Sequence, residues 1–336
     1  MDREVESEYL EKAEALLRSG RYHEALDLYD QILAKDLRNP QALYEKANIL
    51  LQLRQYKEAE RTYDAAIELA PDLVASHYGK AFTYQEQHKY EAAIRLYDEV
   101  LSLDKTYYDA YLNKGVCYHK MRSYGSALDC YDRALELGFD FAEIFFNRGL
   151  VFEEQHEYRE AMEAYDEASK RNPADTEAIL YKAMILDRIG RYQSAIECYD
   201  KVIELDSYEI KAFVNKGLCL HELGEHVASI DCYDKALALN SRDTDVYLNK
   251  SEALRVLQRY EEEIACYDRI LELEPENDGA YYDKAAVYAL LGLNPEALLN
   301  LKKSIRLNQR NGELAKDDVD FSRMRSNPAF QRLIGR

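Results

Sequence analysis

The sequence predicts an all-α protein built as a stacked array of two-helix repeats. The first observation is a Tyr-Asp dipeptide that recurs every 34 residues without a gap. It starts at Tyr29, Tyr63, Tyr97, Tyr131, Tyr165, Tyr199, Tyr233 and Tyr267, and the ninth step falls on Leu301. Other residue types keep the same register, and residues within each copy are spaced as on helices. Self-similarity at this period is typical of arrays in which each repeat covers its neighbour's apolar face.

Two companion rows support this register. A tyrosine seven residues before the dipeptide occurs at Tyr22, Tyr56, Tyr90, Tyr124, Tyr158, Tyr192 and Tyr260. An alanine four residues before it occurs at Ala25, Ala59, Ala93, Ala127, Ala161, Ala195 and Ala297. In the remaining copies His226 and Asn294 replace the tyrosine, and Ser229 and Glu263 replace the alanine. The array therefore extends over nearly the whole chain.

Each repeat is predicted to contain two helices joined by a short polar turn. In the fourth repeat two sets of residues follow helical spacing: Tyr111, Gly115 and Tyr118, then Ala127, Tyr131 and Ala134. Glycines mark the turn in other repeats, at Gly20, Gly190, Gly224 and Gly292. Small residues at the helix crossing allow the two backbones to approach, and the tyrosines fill the space beside them.

These residues resemble the signature of the tetratricopeptide repeat family, and the resemblance covers residues 6–311. It implies a right-handed α-solenoid whose first helices line a concave groove. The predicted organisation is an N-terminal extension (1–5), nine repeats, and a C-terminal capping segment (312–336). The repeats are 6–39, 40–73, 74–107, 108–141, 142–175, 176–209, 210–243, 244–277 and 278–311.

The C-terminal segment is predicted to form a lid. Gly312 is expected to break the array, and Asn327-Pro328 is a helix-start signal. The apolar residues of the segment are Phe321, Met324, Phe330, Leu333 and Ile334. We expect them to cover the face that the ninth repeat would otherwise expose, with a docking peptide as the alternative.

Composition argues against several classes of function. Forty-four Lys and Arg against 63 Asp and Glu give a formal net charge of −19, which argues against a nucleic-acid binder. No apolar run is long enough for membrane insertion, and the acidic N-terminal residues show no secretory signal. The six cysteines are expected to be reduced. We therefore expect a soluble cytoplasmic protein.

One face of the first helices is predicted to be a partner-binding groove. One row on this face is apolar in every repeat: Leu10, Tyr44, Tyr78, Leu112, Phe146, Leu180, Val214, Leu248 and Tyr282. The next row is apolar only in repeats 3 to 7: Phe82, Val116, Leu150, Met184 and Leu218. These residues either partly bury one another or form an apolar strip for a partner. We favour the strip, because packing needs common to all repeats do not explain a restricted block.

The rim of the same block is mostly acidic. Its carboxylates are Glu86, Asp109, Glu143, Glu153, Glu154, Glu177, Asp187 and Glu222, against the cations Lys120, Arg188 and Lys211. Solvation alone is the competing explanation for this surface. As a binding rim it fits an amphipathic helix or extended segment with Lys/Arg flanks. His119 and His221, together with Glu153, Asp187 and Glu222, would then add orientation and charge selection.

The sequence does not predict a carboxylate clamp, a metal site or a catalytic site. Some members of the family clamp a terminal carboxylate, but the groove positions for the clamp's cations hold Phe82, Glu143, Met184 and Asp245. His221 and His226 are five residues apart with Gly224 in the turn, so they cannot share one helical face as zinc ligands. Phosphate-loop and serine-nucleophile motifs are missing from the sequence. No metal, cofactor or catalysis is expected.

A basic row also runs through the array, between the repeats rather than in the groove. It consists of Lys12, Lys46, Lys80, Lys114, Arg148, Lys182, Lys216, Lys250 and Lys284. We predict that these side chains pack their stems at the interface and pair with the aspartates from Asp30 to Asp268.

The leading hypothesis is a non-catalytic scaffold that binds a protein or peptide segment in the groove. The alternative is homo-oligomerisation, in which the same strip accepts another chain or its tail.

Overall fold

The computed structural model describes residues 3–36 and 38–335, with side chains described from residue 9 onward. Over this part of the chain the structure is all-helical and contains no strand, so the predicted fold class is confirmed. The chain divides into two compact units, Met1–Arg171 and Asn172–Arg336. The first unit holds repeats 1 to 5, and the second holds repeats 6 to 9 followed by the tail.

The helices occur in pairs, one pair to each predicted repeat. In the first unit the pairs are Arg3–Arg18 with Tyr22–Lys35, Pro40–Gln52 with Tyr56–Leu69, Val74–Glu86 with Tyr90–Leu103, Tyr108–Lys120 with Tyr124–Glu136, and Ala142–Glu154 with Tyr158–Arg171. In the second they are Glu177–Arg188 with Tyr192–Leu205, Ile210–Glu222 with His226–Leu239, Thr244–Val256 with Tyr260–Leu273, and Asp278–Leu290 with Asn294–Leu307. The first helix begins ahead of the repeat frame, so residues 3–5 belong to it rather than to a separate extension.

Each pair reverses direction at a residue in the left-handed region. Glycine takes this position in some repeats, for example Gly190 with φ 74°. In other repeats a residue other than glycine adopts this left-handed conformation, as Arg122 does with φ 58° and Gln258 with φ 56°. The turn is therefore conserved in geometry between repeats although glycine marks only some of them.

The centre of each of the first eight pairs is the tyrosine of the Tyr-Asp dipeptide, which is buried from Tyr29 to Tyr267; buried Leu301 takes its place in the ninth. In repeat 4 its ring lies against the backbone of the first helix. A Cβ atom added at Gly115 would come within 2.4 Å of Cε1 of Tyr131. The same 2.4 Å separates a Cβ at Gly149 from Cε1 of Tyr165. Glycine is needed at these crossings because the ring occupies the space of a side chain.

The predicted pairing of the basic row with the aspartates is confirmed. Each pair joins the second helix of one repeat to the first helix of the next. The pairs with nitrogen–oxygen distances of 2.5 to 2.7 Å are Lys46–Asp30, Lys80–Asp64, Lys114–Asp98 and Lys250–Asp234. Arg148–Asp132, Lys216–Asp200 and Lys284–Asp268 repeat the contact. The aspartates are about half exposed, so each pair contributes at most about 1 kcal/mol.

The tail consists of an α-helix Arg310–Asp317, a 3₁₀ helix Val319–Met324 and an α-helix Pro328–Leu333. Gly312 was predicted to break the array, but it lies inside the first of these helices. The glycine packs closely on the ninth repeat, since a Cβ atom added there would lie 3.4 Å from Cδ1 of Ile305. Asn327 accepts a hydrogen bond from the backbone N–H of Ala329 at 2.8 Å, which caps the last helix where predicted. The side chains that pack on the ninth repeat are Phe321, Met324, Phe330, Ile334 and Leu333.

One arginine links the tail to repeat 8. Arg255 donates to Oε1 of Glu263 at 2.7 Å and to Oδ2 of Asp320 at 2.5 Å. Nearby, burial raises the pKa of Asp283 to about 6; the Arg255 guanidinium opposes this shift, and the charge of Asp318 adds to it. Asp283 is therefore held in a setting that disfavours its charged form.

We expect Gly115→Ala to lower the free energy of unfolding by about 1–3 kcal/mol, because the new methyl group displaces the Tyr131 ring. Urea unfolding followed by circular dichroism measures the effect. Gly125→Ala is the matched control, since a Cβ there meets no atom within 4 Å. Equal stability of the two variants would contradict the assigned role of the glycine.

We expect Asp283→Asn to stabilise the protein at pH 7.5, by up to about 3 kcal/mol, and by only about 1 kcal/mol at pH 4.5. The folded-state pKa is raised, so the folded state binds more protons between the ordinary value and about pH 6. Native stability consequently falls as pH rises through this window. Urea midpoints at both pH values test this, with the exposed Asp245→Asn as control; a pH-independent difference would contradict it.

Candidate functional site

In the first unit, the apolar row that runs through every repeat lies over the buried tyrosines. The ring centroid of Tyr78 is 5.9 Å from that of Tyr97, and the Phe146 centroid is 5.6 Å from that of Tyr165. Leu112 is only 3% exposed and packs in the same cluster as Tyr131. This row therefore contributes to the core as well as to the face of the first helices.

The second row is more accessible. Phe82, Val116 and Leu150 are all half-buried. Phe82 stacks on Tyr78 with ring centroids 6.3 Å apart and an interplanar angle of 17°. These side chains give repeats 3 to 5 an apolar face that is neither fully buried nor fully exposed.

A polar network fixes Tyr78 within this face. Asn113 Nδ2 donates to the Tyr78 hydroxyl at 2.8 Å, and Gln85 Nε2 donates to Asn113 Oδ1 at 3.2 Å. The Tyr97 hydroxyl donates to Gln85 Oε1 at 2.8 Å. Gln85 was not singled out by sequence reasoning, because a glutamine on a helix gives no signal of which neighbour it will bridge.

Two rim carboxylates of this unit, Asp109 and Glu143, are not paired with a cation within the described residues. Burial raises the pKa of Asp109 above its ordinary value, and burial together with the charge of Asp109 does the same for Glu143. Neither side chain forms an ion pair in residues 9–36 or 38–335, although both are exposed. Glu153, in contrast, accepts a hydrogen bond from the Tyr165 hydroxyl at 3.1 Å.

His119 is buried rather than displayed. It is 6% exposed, and its Nε2 lies 3.2 Å from Oε1 of Glu154. The Tyr124 hydroxyl donates to the other oxygen of Glu154 at 2.8 Å. Burial lowers the pKa of His119, and the charge of Glu154 opposes this shift only in part. The ring thus joins repeats 4 and 5 and has little surface left for a partner.

The second unit carries its own part of the predicted groove. Leu180 is buried, whereas Met184, Val214 and Leu218 are half-buried. Asp187 is half-buried and Glu222 is exposed. Burial raises the pKa of Asp187, the Cys219 thiol opposes this shift, and the charge of Glu222 adds to it.

His221 and His226 meet across the turn between the helices Ile210–Glu222 and His226–Leu239. Their Nδ1 atoms are 3.3 Å apart and their ring centroids 4.7 Å. The five-residue spacing would put the two histidines on different faces of a single helix. They lie instead on two helices, and the turn between these helices brings the two rings together. The described residues contain no group of three or more His, Cys, Asp or Glu side chains that could hold a metal ion.

Three aromatic residues form a cluster that the sequence interpretation missed. The Tyr108 ring centroid is 5.1 Å from that of Phe139 and 4.8 Å from that of Phe141. Phe141 is 51% exposed and directly precedes the helix Ala142–Glu154. Phe139 and Phe141 fall in the connection between repeats 4 and 5, outside the rows that define the repeat, so the register gave no signal for them.

Family comparison agrees with the repeat geometry. Tetratricopeptide repeat models match residues 10–74, 74–107, 108–138, 146–210, 210–243 and 244–277. The chain belongs to the tetratricopeptide repeat family. This membership supports a protein-interaction scaffold, since stacked repeats of this kind present extended binding surfaces. No curated protein matches the chain.

Solved structures share the fold. One is the C-terminal part of a TPR repeat-containing protein from Cytophaga hutchinsonii, at 17% identity and TM-score 0.58, with 71% of this chain and 98% of that chain covered. Another is the type IV pilus biogenesis factor PilW, at 21% identity and TM-score 0.56, with 63% and 98% covered. A third is a tetratricopeptide repeat protein from Parabacteroides merdae, at 16% and 0.54, with 75% and 99% covered. At these identities the likeness concerns the fold alone.

None of the described helices is both long enough and apolar enough to cross a membrane.

We expect the His119 side chain to contribute a loss of stability as pH falls from 7.5 to 5.5, and His119→Gln to remove this contribution. The folded-state pKa of His119 is lowered, so its contribution is complete above the ordinary value of 6.5 and declines as pH falls toward the folded-state pKa. Urea midpoints across this range measure the slope. His23→Gln is the control because His23 is exposed; an unchanged slope in His119→Gln would contradict the assignment.

Proposed function

We propose that this chain is a non-catalytic cytoplasmic scaffold that binds an amphipathic, basic-flanked segment of a partner protein along the first-helix face of repeats 3 to 5. The observation that carries the proposal is a half-buried apolar row on the first helices, together with carboxylates of the same helices that form no ion pair within the described residues. Phe82, Val116 and Leu150 form the row, and Asp109 and Glu143 supply the charge.

Packing between the helices of the first unit already buries some of its apolar side chains and leaves others accessible. Ile144 and Val151 are fully buried between the helices of the first unit, together with Leu112. Leu150 and Val116 remain half-buried beside them. A partner helix or strand would cover this remaining area, and burial of such anchors supplies most of the affinity in peptide grooves.

The carboxylates on this face favour a partner segment that carries positive charge. Burial of part of each carboxylate raises the pKa values of Asp109 and Glu143, and neither forms an ion pair within the described residues. A cation in the incoming segment would lower these pKa values toward the ordinary range. The second unit adds a surface of similar composition, with Met184 and Leu218 beside Asp187 and Glu222. Basic flanks on the partner would also be attracted by the net charge of −19.

Three side chains of the first helices that could take part in catalysis are held in unreactive states, which supports a non-catalytic role. Burial raises the pKa of Cys117 and of Cys219 to about 12, so both thiols stay protonated near neutral pH. His119 is buried against Glu154 and lacks a free approach for a substrate. Reduced thiols of this kind also fit a cytoplasmic location.

We expect Leu150→Glu to abolish capture of a partner while leaving helicity unchanged, because it places a charge in the apolar row. The measurement is a pull-down from source lysate on immobilised protein, read by mass spectrometry, with circular dichroism for folding. Leu103→Glu is the matched control, since Leu103 is an apolar residue of the same unit that is 46% exposed at the end of its helix.

Retention of the same proteins by native chain, Leu150→Glu and Leu103→Glu would overturn the groove assignment. A molecular mass that rises with concentration and falls in Leu150→Glu would instead favour self-association through the same face. Light scattering coupled to size-exclusion chromatography distinguishes these two outcomes.

A further inference from the structure

We propose that the first-helix face of repeats 8 and 9 contains a second recognition site, which binds an acidic–aromatic peptide segment. Arg255 and Tyr282 form the site, and residues 318–321 of the chain's own tail occupy it. A partner segment with the same pattern, a carboxylate directly before an aromatic residue, would displace the tail and bind in its place. The site lies in the second unit and is independent of the groove proposed in repeats 3 to 5.

Arg255 lies in a first-helix row that the sequence predicted to contact a partner. Its register position is that of Glu153 in repeat 5 and Asp187 in repeat 6. No other residue of this row is a lysine or an arginine. Repeat 8 therefore presents a guanidinium at a position that is acidic in repeats 5 and 6.

A buried carboxylate holds the Arg255 side chain in place. Glu263 stands where most repeats have alanine; it is 0% exposed, and its Oε1 accepts a hydrogen bond from Nε of Arg255 at 2.7 Å. The Tyr267 hydroxyl donates to the same oxygen at 3.4 Å. A carboxylate in the core is costly without a cation, so Glu263 keeps the guanidinium against it whether or not the tail is docked. The core thus orients Arg255 before any ligand binds.

The guanidinium keeps further donors for a ligand. Arg255 uses Nε for Glu263, and its Nη1 donates to Oδ2 of Asp320 at 2.5 Å. A charge-assisted hydrogen bond of this kind is stronger than one between neutral groups. Because Asp320 belongs to the tail, its carboxylate marks the position that an acidic side chain of a partner would take.

Tyr282 provides the aromatic part of the site. It belongs to the first-helix row that is apolar in every repeat, and its hydroxyl donates to Oδ2 of Asp318 at 2.7 Å. The ring of fully buried Phe321 packs edge-on against the Tyr282 ring, with centroids 5.6 Å apart and an interplanar angle of 69°. The tail therefore contacts this face as a peptide ligand would, through two carboxylates and one aromatic anchor.

Capping of the ninth repeat does not by itself require these polar contacts. Met324 and Phe330 already cover that repeat and are fully buried. Asp320 reaches instead to repeat 8, past the repeat that the tail covers. Arg255 and Glu263 both depart from the residue types of their rows, and the tail aspartate completes the contact between them and the face.

The test measures binding in trans with a fluorescein-labelled peptide that has the sequence of residues 315–333. The chain's own segment is weakened by Asp320→Asn combined with Phe321→Ala, which defines the released-tail variant. The native tail is tethered beside the site and competes at a high effective concentration. We therefore expect the peptide to bind the released-tail variant at least about tenfold more tightly than the native chain, as measured by fluorescence anisotropy.

Asp320→Asn in the peptide should weaken binding to the released-tail variant by about tenfold, because it removes the carboxylate that Arg255 holds. The penalty should largely disappear when Arg255→Gln and Glu263→Ala are added to this variant. These two changes give repeat 8 the residue types of repeat 3, Gln85 and Ala93, so no buried charge is left unpaired.

Matched controls exist in the peptide and in the chain. Asp317→Asn in the peptide should not change binding, since Asp317 is exposed. Arg259→Gln in the released-tail variant should keep the Asp320→Asn penalty, because Arg259 lies in the same repeat and pairs with Glu262 at 2.7 Å. Circular dichroism checks folding. If the released-tail variant does not fold, the single Asp320→Asn chain, which keeps the apolar contacts of the tail, takes its place.

A peptide in which residues 318–321 are scrambled but Phe330 is retained separates recognition from capping. It should bind at least about tenfold more weakly than the native sequence. Equal binding of these two peptides would show that the tail is only a cap, and would overturn the site. The site would fail equally if the Asp320→Asn penalty persisted without Arg255, or if the native chain bound the peptide as tightly as the released-tail variant.

Discussion

In repeats 4, 5 and 7 a tyrosine ring of the second helix lies directly against a glycine of the first helix, and this contact constrains the rest of the repeat. The ring of Tyr131 fills the volume that a side chain at Gly115 would need, so the two helices approach at one fixed level. That level sets which residues of the first helix turn inward and which form its open face. Because the contact recurs in repeat 5 and repeat 7, successive first helices present corresponding residues in the same way.

The same ring links the core to the candidate site. Its hydroxyl crosses the pair and ends near the first-helix face, where the local sequence decides its partner. Gln85 and Glu153 satisfy it in repeats 3 and 5, whereas His119 in repeat 4 lies against Glu154 instead. A variation at one first-helix position thus leaves the packing intact and changes the polarity of the face.

The sequence alone predicted the features that recur with the 34-residue period. It did not predict the positions of residues whose environment depends on one local contact. The helix pairs and the Lys–Asp pairs follow from rows at fixed spacing, so Lys114 and Asp98 could be matched without coordinates. Gly312 was misread because a glycine that permits close packing on Ile305 has the same letter as one that ends a helix. His119 was expected to face a partner, but it is buried and lies against Glu154 of the next repeat. Phe141 lies in a connection that has no periodic signal.

This division between periodic and local features bears on where specificity can arise in such a chain. Substitutions at buried, repeated positions alter packing in every case and cost stability. Exposed residues such as Phe141 and Glu143 make few packing contacts, so they can vary with little effect on the fold. The connection at residues 139–145, which lies between two matched ranges of the family models, can therefore carry chemistry of its own on the fixed geometry of the family. Asp109 and Glu143, which form no ion pair within the described residues, are local features of this kind, because no contact between helices requires them.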